Sequence, residues 1–484
     1  MFNFNIAENI SNIIERGGNT SMTDKEFFER EILRWKRSDK RKTQFAGYRY
    51  YAGEHDILKR KRTVIGEGGE LREVGNLPNN LIVDNQYAKM VDQKVNYLLG
   101  KPITFDGKND AFKEALQGLL GSRFQRVLKN LGEDALHGGI AWLYPYYDSG
   151  GELCFKRFEP FEILPFWKDA EHTVLDCALR LYEVQAYEGK KETIVEKVEI
   201  YRKTGIERYI LQNNCLAEDI SNPAEGYVLI DGMEYNWSRF PLIPFKYNNR
   251  EIPLITRIKT LQDGINILIS DFENHMQEDS RNTILVIKNY DGEDLGTFRQ
   301  NLAAYGAVKV RTVDNSDGGV STLNIDVNAE NYRAVLEIFK KALIENARGF
   351  DAKNERMSGT PNQMNIQSMY SDVDLDANGM ETEFQASLEE LLWFVKIHFH
   401  NRGIGDFSNE KITVIFNRDI LINESESIEN CKKSVGILSN ETIVSQHPWI
   451  VNIKEELERI EREKDNMPEY RDAFQPSPKA GDTA

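Results

Sequence analysis

Two histidines separated by one residue, His398 and His400, are the first candidates for a metal site in this chain. They lie in a stretch with helical periodicity, where a spacing of two directs the rings about 200° apart around the helix. Two histidines that bind one metal ion from the same helix are spaced by three or four residues. This pair therefore predicts no metal site.

Three aspartates at alternate positions, Asp372, Asp374 and Asp376, resemble the start of a calcium-binding loop. An EF-hand loop needs glycine at its sixth position and glutamate at its twelfth, and Gly379 departs from that spacing. We favour an acid cluster at the start of a helix, where the helix dipole stabilises negative charge. The alternative is a phosphodiester hydrolase that uses these acids to hold metal ions.

Two glycine-rich segments are candidates for a phosphate-binding loop and an oxyanion loop. Residues 66–71, GEGGEL, lack the Gly-Lys-Ser/Thr that cradles a phosphate, and they predict a hairpin or loop. The triplet 137–139, HGG, has no Gly-x-Ser-x-Gly elbow to accompany it and predicts a helix end. With no catalytic triad or zinc-protease motif in the chain, we expect a protein that is not an enzyme and has no cofactor.

The elements that must position these residues are three long helices between residues 253 and 400, with a small strand-rich insert between the first two. Apolar residues recur along each helix at spacings of three and four. They are Leu254, Ile258, Leu261, Ile265, Leu268 and Phe272; Tyr332, Val335, Phe339 and Leu343; and Met380, Phe384, Leu388, Leu391, Val395 and Phe399. The first helix would be roughly 43 Å long at about 1.5 Å per residue, which suits a wall of side-by-side subunits. Its apolar stripe is predicted to pack between subunits, and a bend is expected near Gly379 in the third helix.

The region before these helices combines helices with a sheet. Thr23 and Glu26 predict the start of a helix, and a second helix is predicted after Asn80, ending at Gly100. From residue 140 to about 247, short alternating runs predict antiparallel strands, which Pro244 would end. The fold class is therefore α+β.

A basic run covers residues 36–62, with ten lysines and arginines against three acids. We favour a solvated face or a contact with an acidic neighbouring subunit, and DNA contact remains the alternative.

Composition places limits on partners and location. A net charge of −16 over 484 residues opposes nonspecific binding to a polyanion along the whole surface. Four scattered cysteines, with no CxxC pair, indicate a reducing compartment. No segment has the form of a signal peptide or approaches about 18 consecutive apolar residues, so no membrane partner is expected.

Four segments, taken together and in this order, resemble one known family. They are YYAGEHDIL at 50–58, NYLLGKPITF at 96–105, PLIPFKYN at 241–248 and ILSNETIVSQHPWI at 437–450. The chain resembles the portal proteins of tailed bacteriophages, specifically the SPP1 Gp6-like family, over roughly residues 24–465. The resemblance implies a non-catalytic ring, usually a dodecamer, at one vertex of the phage head.

The resemblance also implies a division of the chain into the parts of a portal subunit. These are an N-terminal arm 1–22, a wing 23–252, a stem helix 253–281, a clip 282–327, a second stem helix 328–349, a tunnel loop 350–365, a long kinked helix with a wing return strand 366–423, a helical crown 424–466 and a disordered tail 467–484. Within the clip, residue patterns predict strands at 283–287 and 307–310 with a helix around 295–302.

Three sets of site residues follow from this division. DNA-contacting residues of the tunnel loop are expected at Lys353, Asn354, Arg356, Met357, Ser358, Thr360, Asn362, Gln363, Met364 and Asn365. Channel-facing stem residues are expected at Asp263, Ser270, Glu273 and Gln277. Partner-docking residues of the clip are expected at Tyr290, Asp291, Glu293, Asp294, Phe298 and Arg299. The small polar groups of the loop, with only two cations, favour weak and exchangeable phosphate contacts.

The partners that the resemblance implies are other copies of the chain, double-stranded DNA without sequence preference, terminase, a head-completion or adaptor protein, and the scaffold and major capsid proteins. The expected location is the portal vertex of the virion, after assembly in the bacterial cytoplasm. A third interpretation, a structural adaptor that forms no ring, would have the same composition.

Overall fold

A computed structural model describes residues 22–65, 69–75, 77–230, 233–279, 284–288, 319–323, 329–351, 363–418, 424–450 and 453–465. The described parts of Met1–Gly349 and Val373–Asp419 form one compact unit, and those of Phe350–Asp372 and Ile420–Ala484 form a second. The predicted N-terminal arm before Met22, most of the predicted clip, most of the predicted tunnel loop and the predicted C-terminal tail lie outside the described residues.

Helices and strands both contribute to the described chain, in agreement with an α+β fold. The helices are α1 Asp24–Arg37, α2 Asp39–Tyr51, α3 Gln86–Leu99, α4 Asp110–Leu119, α5 Ser122–Gly138, α6 Leu254–Asp279, α7 Ala329–Asn346, α8 Gln363–Asn401, α9 Glu424–Lys433, α10 Asn440–Ser445 and α11 Ile453–Asp465. The strands are β1 Thr63–Ile65, β2 Leu71–Glu73, β3 Thr104–Asp106, β4 Ile140–Tyr147, β5 Leu153–Phe158, β6 Ile163–Trp167, β7 Leu175–Glu188, β8 Lys191–Arg202, β9 Gly205–Gln212, β10 Cys215–Glu218, β11 Val228–Ile230, β12 Met233–Tyr235, β13 Ile243–Lys246, β14 Ile284–Lys288, β15 Gly319–Leu323 and β16 Thr413–Ile415. None of the helices among the described residues has the length and hydrophobicity that a membrane span requires.

The predicted antiparallel region is confirmed. Its largest sheet has five strands in the order β10-β9-β8-β7-β6, and each neighbouring pair is antiparallel. Helix α1 covers one face of this sheet, where Phe28 and Ile32 pack with Phe166, Leu179 and Val198. The alternating pattern in the sequence therefore reflects a sheet that is buried on one side.

A second sheet joins β4 to β5 and β13, and it corrects the role predicted for Pro244. Pro244 lies inside β13 opposite Trp142 and does not end the sheet. Because β13 has one strand neighbour in this sheet, a proline that donates no hydrogen bond is tolerated there.

The predicted helix ends are confirmed at two places. Thr23 and Glu26 form a reciprocal capping box at the start of α1. Gly139 ends α5 in a left-handed conformation with φ of 78°, close to the Glu251 carbonyl, where a side chain would clash. The HGG triplet is thus a helix end.

The second compact unit contains the helices predicted for the crown. Within it, α9 and α10 approach each other, and the Cys431 thiol lies 3.8 Å from the Ile443 carbonyl oxygen. Ser439 caps α10 by accepting a hydrogen bond from the Thr442 backbone N–H.

Candidate DNA conduit and the residues that support it

Helix α6 is the central element of the candidate conduit, and its apolar stripe is largely buried within the chain itself. Leu254, Ile258 and Ile265 are fully buried, and the Phe272 ring lies 4.9 Å from the Tyr332 ring of α7. The prediction that this stripe packs between subunits is therefore wrong for these residues, since their partners come from the same chain.

Helices α6 and α7 pack closely because α6 has a glycine at the contact. A side chain at Gly264 would come within 2.8 Å of the Phe339 ring. The two helices continue in contact at the other end, where His275 Nδ1 lies 3.0 Å from the Tyr332 hydroxyl. These contacts hold the two predicted stem helices side by side.

The opposite side of α6 carries a ladder of four buried polar residues spaced by four, which we call the α6 ladder. The members are Gln262, Asn266, Ser270 and Asn274. Their side-chain oxygens accept hydrogen bonds from the backbone N–H groups of Tyr87, Asp84, Ile82 and Asn80, at 2.9, 3.0, 3.0 and 2.7 Å. The segment before α3 belongs to no helix or strand, and several of its backbone N–H groups find their hydrogen-bond acceptors on one face of α6.

This ladder explains why the second predicted helix starts later than expected. The pattern after Asn80 predicts a helix from that point, but α3 begins at Gln86 with Asn85 as its cap. Residues 80–85 lie along α6 instead of forming a helix. The side-chain oxygens of the α6 ladder accept hydrogen bonds from their N–H groups, and this replaces the hydrogen bonds that a helix would provide.

Two of the four predicted channel-facing residues are engaged inside the chain. Ser270 is fully buried in the ladder, so the prediction that it faces a channel is wrong. Asp263 accepts hydrogen bonds from the Tyr50 hydroxyl at 2.5 Å and from Lys259 at 2.7 Å. Glu273 is half-buried and Gln277 is exposed, and for these two the prediction stands untested.

The aspartates at 374 and 376 are also occupied by partners. Asp376 is buried and forms ion pairs with Lys94 at 2.7 Å and Arg257 at 3.1 Å, and the Tyr247 hydroxyl donates to it at 2.5 Å. Burial raises the pKa of Asp376, but the charge and hydrogen bond of Lys94 outweigh it and lower the pKa below its ordinary value. Burial likewise lowers the pKa of Lys94, which Asp376 partly offsets.

The position of these acids corrects the interpretation as a helix-start cluster. Helix α8 begins at Gln363, so Asp372, Asp374 and Asp376 lie in its interior. Asp374 accepts from Arg418 at 2.9 Å and from the Tyr97 hydroxyl, whereas Asp372 is exposed. In the described parts of the chain, no three His, Cys, Asp or Glu side chains are grouped to hold a metal ion. The arrangement is that of structural ion pairs.

The two histidines at 398 and 400 differ in environment. The His398 ring is buried and lies 5.6 Å from the Tyr147 ring, and burial lowers its pKa. His400 is exposed on the same helix.

Several cations of the basic run are paired within the chain. Lys36 contacts Glu196 at 2.6 Å, and Lys40 contacts Glu251 at 2.6 Å. Burial raises the pKa of Glu251, but hydrogen bonds and charges from His172 and Lys40 outweigh it and lower the pKa to about 2. Lys36 thus joins the end of α1 to β8, and Lys40 joins α2 to the segment between β13 and α6, roles that the sequence did not indicate.

Comparisons with known proteins match this chain to one family. A family described as "Phage portal protein, SPP1 Gp6-like" matches residues 34–469. The chain belongs to the SPP1 Gp6-like family of phage portal proteins.

Two portal proteins align with this chain over most of the length of both partners. The portal protein of Bacillus phage SPP1 is 30% identical over 431 residues, covering 88% of this chain and 84% of that protein. The portal protein of Clostridium phage phiCD119 is 26% identical over 419 residues, covering 84% of this chain and 89% of that protein. The resemblance seen in the four sequence segments is thereby confirmed, and the portal function with it.

The tunnel loop predicted for this portal protein is described only at its two ends. Gln363, Met364 and Asn365 are the first residues of α8, so the loop ends earlier than predicted. Just before the predicted loop begins, Lys94 donates to the carbonyl of Arg348 at 3.2 Å, shortly after α7 ends. Lys353, Asn354, Arg356, Met357, Ser358, Thr360 and Asn362 lie outside the described residues.

In the segment predicted to form the clip, one antiparallel pair of strands is described. Strand β14 pairs with β15 from Ile284 opposite Leu323 to Lys288 opposite Gly319. The first strand confirms the prediction for residues 283–287 within one residue, and the second was not predicted. Tyr290, Asp291, Glu293, Asp294, Phe298 and Arg299 lie outside the described residues, as do the predicted helix and the strand at 307–310.

Proposed function

We propose that copies of this chain form a closed ring, a dodecamer as is usual in the family, at one vertex of the phage head. Double-stranded DNA passes through its central tunnel during packaging and ejection. The observation that carries this proposal is the family match over residues 34–469, with two portal relatives that align over most of their length.

Exposed apolar residues on the two predicted stem helices support a ring. Ile267 and Met276 on α6 and Val335 and Ile338 on α7 are large apolar residues that are exposed in the single chain. Exposed apolar side chains on paired helices favour contact with another protein surface. In a closed ring each subunit uses two different patches, one toward each neighbour.

A conduit also needs DNA to move without strong adhesion. The net charge of −16 per subunit repels phosphates on average, and the predicted tunnel loop offers only Lys353 and Arg356 as cations. Such a loop would make weak, sequence-independent contacts, because base readout requires rigidly held groups at base edges.

The same proposal assigns partners by region. The clip, including the predicted residues between Tyr290 and Arg299, would dock terminase during filling and head-completion proteins afterwards. The rest of the ring would contact the scaffold and major capsid proteins. Assembly would occur in the bacterial cytoplasm, and the final location is the portal vertex of the virion.

The ring is tested by negative-stain microscopy and sedimentation of the purified protein. Closed rings with a central opening are expected. Monomers or dimers at every concentration and ionic strength would instead support an adaptor that forms no ring.

The conduit is tested by removing the two predicted loop cations together, as Lys353→Gln with Arg356→Gln. We expect rings to form normally and DNA filling to fall several-fold. A matched control, Arg37→Gln with Lys59→Gln, removes the same charge from the basic run and should leave filling unchanged. Normal filling in the loop variant with reduced filling in the control would instead assign DNA contact to the basic run.

A further inference from the structure

The wing carries a two-stranded extension that projects past its sheet; we call residues 184–195 the wing arm. Strand β6 pairs with β7 only as far as Arg180, and β9 pairs with β8 only from Lys197 onward. The distal parts of β7 and β8 therefore pair only with each other among the described strands. An extension with two open edges is a ready surface for another protein.

The wing arm exposes apolar side chains and two lysines. Tyr187 is 69% exposed and Ile194 is 62% exposed, and their positions in the register make them diagonal neighbours on one face. Lys190 and Lys191 are exposed at the turn. The arm thus offers exposed apolar side chains and two lysines at its turn, and the exposed Glu192 lies opposite Tyr187 on the same face.

The same compact unit contains a concave surface that carries two glutamates, which we call the wing groove. A cavity of about 790 Å³ is lined by Trp393 and Ile397 together with Glu389 and Glu390 of α8. A second cavity of about 320 Å³ adjoins it and shares Arg239 and Glu390. The groove is therefore partly apolar. Its two carboxylates lie on α8 together with Lys396, whose ammonium group donates to the Glu410 carbonyl oxygen at 2.7 Å.

Glu390 is only partly neutralised within the chain. Burial raises its pKa to about 7, and the charge of Arg239 offsets that effect only in part. The Arg239 guanidinium lies 4.8 Å from the centre of the Trp393 ring, over its face. An additional cation entering the groove would stabilise the Glu390 carboxylate.

The arm of one chain cannot reach its own groove along the sheet. Thr173 lines the groove two residues before β7 begins, and the arm tip is at the other end of β7. A strand of 14 residues extends for about 45 Å at roughly 3.3 Å per residue. The arm and the groove are thus two separated, complementary patches, as a head-to-tail interface requires.

We propose that the wing arm of one subunit binds in the wing groove of the next subunit around the ring. Tyr187 and Ile194 would contact Trp393 and Ile397, and the lysines at the arm turn would pair with Glu389 and Glu390. This inference rests on the proposed ring and names two of the surfaces that close it.

Charge reversal on each side tests the pairing. Lys190→Glu with Lys191→Glu, and separately Glu389→Lys with Glu390→Lys, should each weaken ring assembly at least tenfold in sedimentation experiments. Combining all four changes in one chain should restore assembly to within about threefold of the unchanged protein, because the charges again complement each other. A control, Lys25→Glu with Arg30→Glu, reverses two exposed cations on α1 and should have no effect.

Folding and assembly are separated by two checks. Thermal unfolding reports whether charge reversal at the half-buried Glu390 destabilises the fold. If it does, Glu389→Lys alone still tests the pairing, because Glu389 is exposed and its reversal should not affect folding. Assembly unchanged in both charge-reversed variants, or additive loss in the combined variant, would overturn the arm and groove pairing. If the unchanged protein forms no rings, it is the proposed function that fails.

Cross-linking supplies a second measurement. Chains with Lys191→Cys are mixed with chains with Glu389→Cys and treated with a short bifunctional maleimide. Heterodimers joined between these positions are expected, and chains that retain only the native cysteines give the background. Cross-links no more frequent than that background, in samples with rings, would also overturn the pairing.

Discussion

The buried and the exposed residues of the two predicted stem helices differ in where their contacts can come from. Toward the interior, α6 presents the α6 ladder and the apolar residues Leu254 and Ile265, and all of these find partners in the same chain. Other residues are exposed in the single chain: Ile338 of α7 is 63% exposed, and Ile267 and Met276 are exposed at different positions around α6. Some apolar residues of these helices are thus buried within the single chain and others remain exposed, which separates the residues that fold a subunit from those that can join subunits.

The largest expected effect lies at the buried ion pairs. Asp376→Asn keeps the shape of the side chain but leaves Lys94 buried without an opposite charge, so unfolding free energy should fall by about 3 to 5 kcal/mol. Urea unfolding measures this, and Asp372→Asn on the exposed part of the same helix should change it by less than about 0.5 kcal/mol. Equal effects of the two changes would contradict the distinction between buried and exposed sides.

The same pair gives a signed dependence on pH. Since the pKa of Asp376 is lowered in the folded state, its contribution is present above the ordinary pKa of an aspartate. That contribution is lost as the pH falls through the lowered value. The unchanged protein should therefore lose stability more steeply below about pH 4 than Asp376→Asn does.

A smaller effect is expected in the α6 ladder. Asn266→Ala removes the acceptor of the Asp84 N–H, and an unsatisfied buried donor costs about 1 to 3 kcal/mol. Gln277→Ala, on the exposed part of α6, is the matched control and should cost less than about 0.5 kcal/mol. Hydrogen exchange at residues 80–87 gives an independent measure, since it should accelerate only in the ladder variant.

The smallest effect on folding, with a distinct effect on assembly, is expected on the outside of α7. Ile338→Glu should leave unfolding free energy within about 0.5 kcal/mol, and it should weaken ring assembly about tenfold, or about 1.4 kcal/mol. Asn346→Glu adds the same charge at an exposed polar position of that helix and should assemble normally. A large loss of stability in Ile338→Glu would show that this residue packs within the subunit.

Some parts of this fold could be predicted because their signals are local. The capping box at Thr23, the glycine end at Gly139 and the alternation in the sheet each depend on residues close in the chain. The late start of α3 could not be predicted in this way, because the acceptors for residues 80–87 lie more than 170 residues away. The spacing of four among Gln262, Asn266, Ser270 and Asn274 was a visible signal, but a polar stripe on a helix is ordinarily a solvated face.

The sequence by itself determined the α+β class, the long amphipathic helices and, through four ordered segments, the portal family. Tertiary structure alone decided which polar residues are available to a tunnel or a partner. In the sequence, Ser270 resembles a solvent-facing group and Asp376 a metal-binding group. In the structure, Ser270 accepts a hydrogen bond from the Ile82 backbone and Asp376 forms an ion pair with Lys94, both from distant segments. The physical reason is that a buried polar group must find its partner in three dimensions, and the linear pattern records the need for a partner without recording which one.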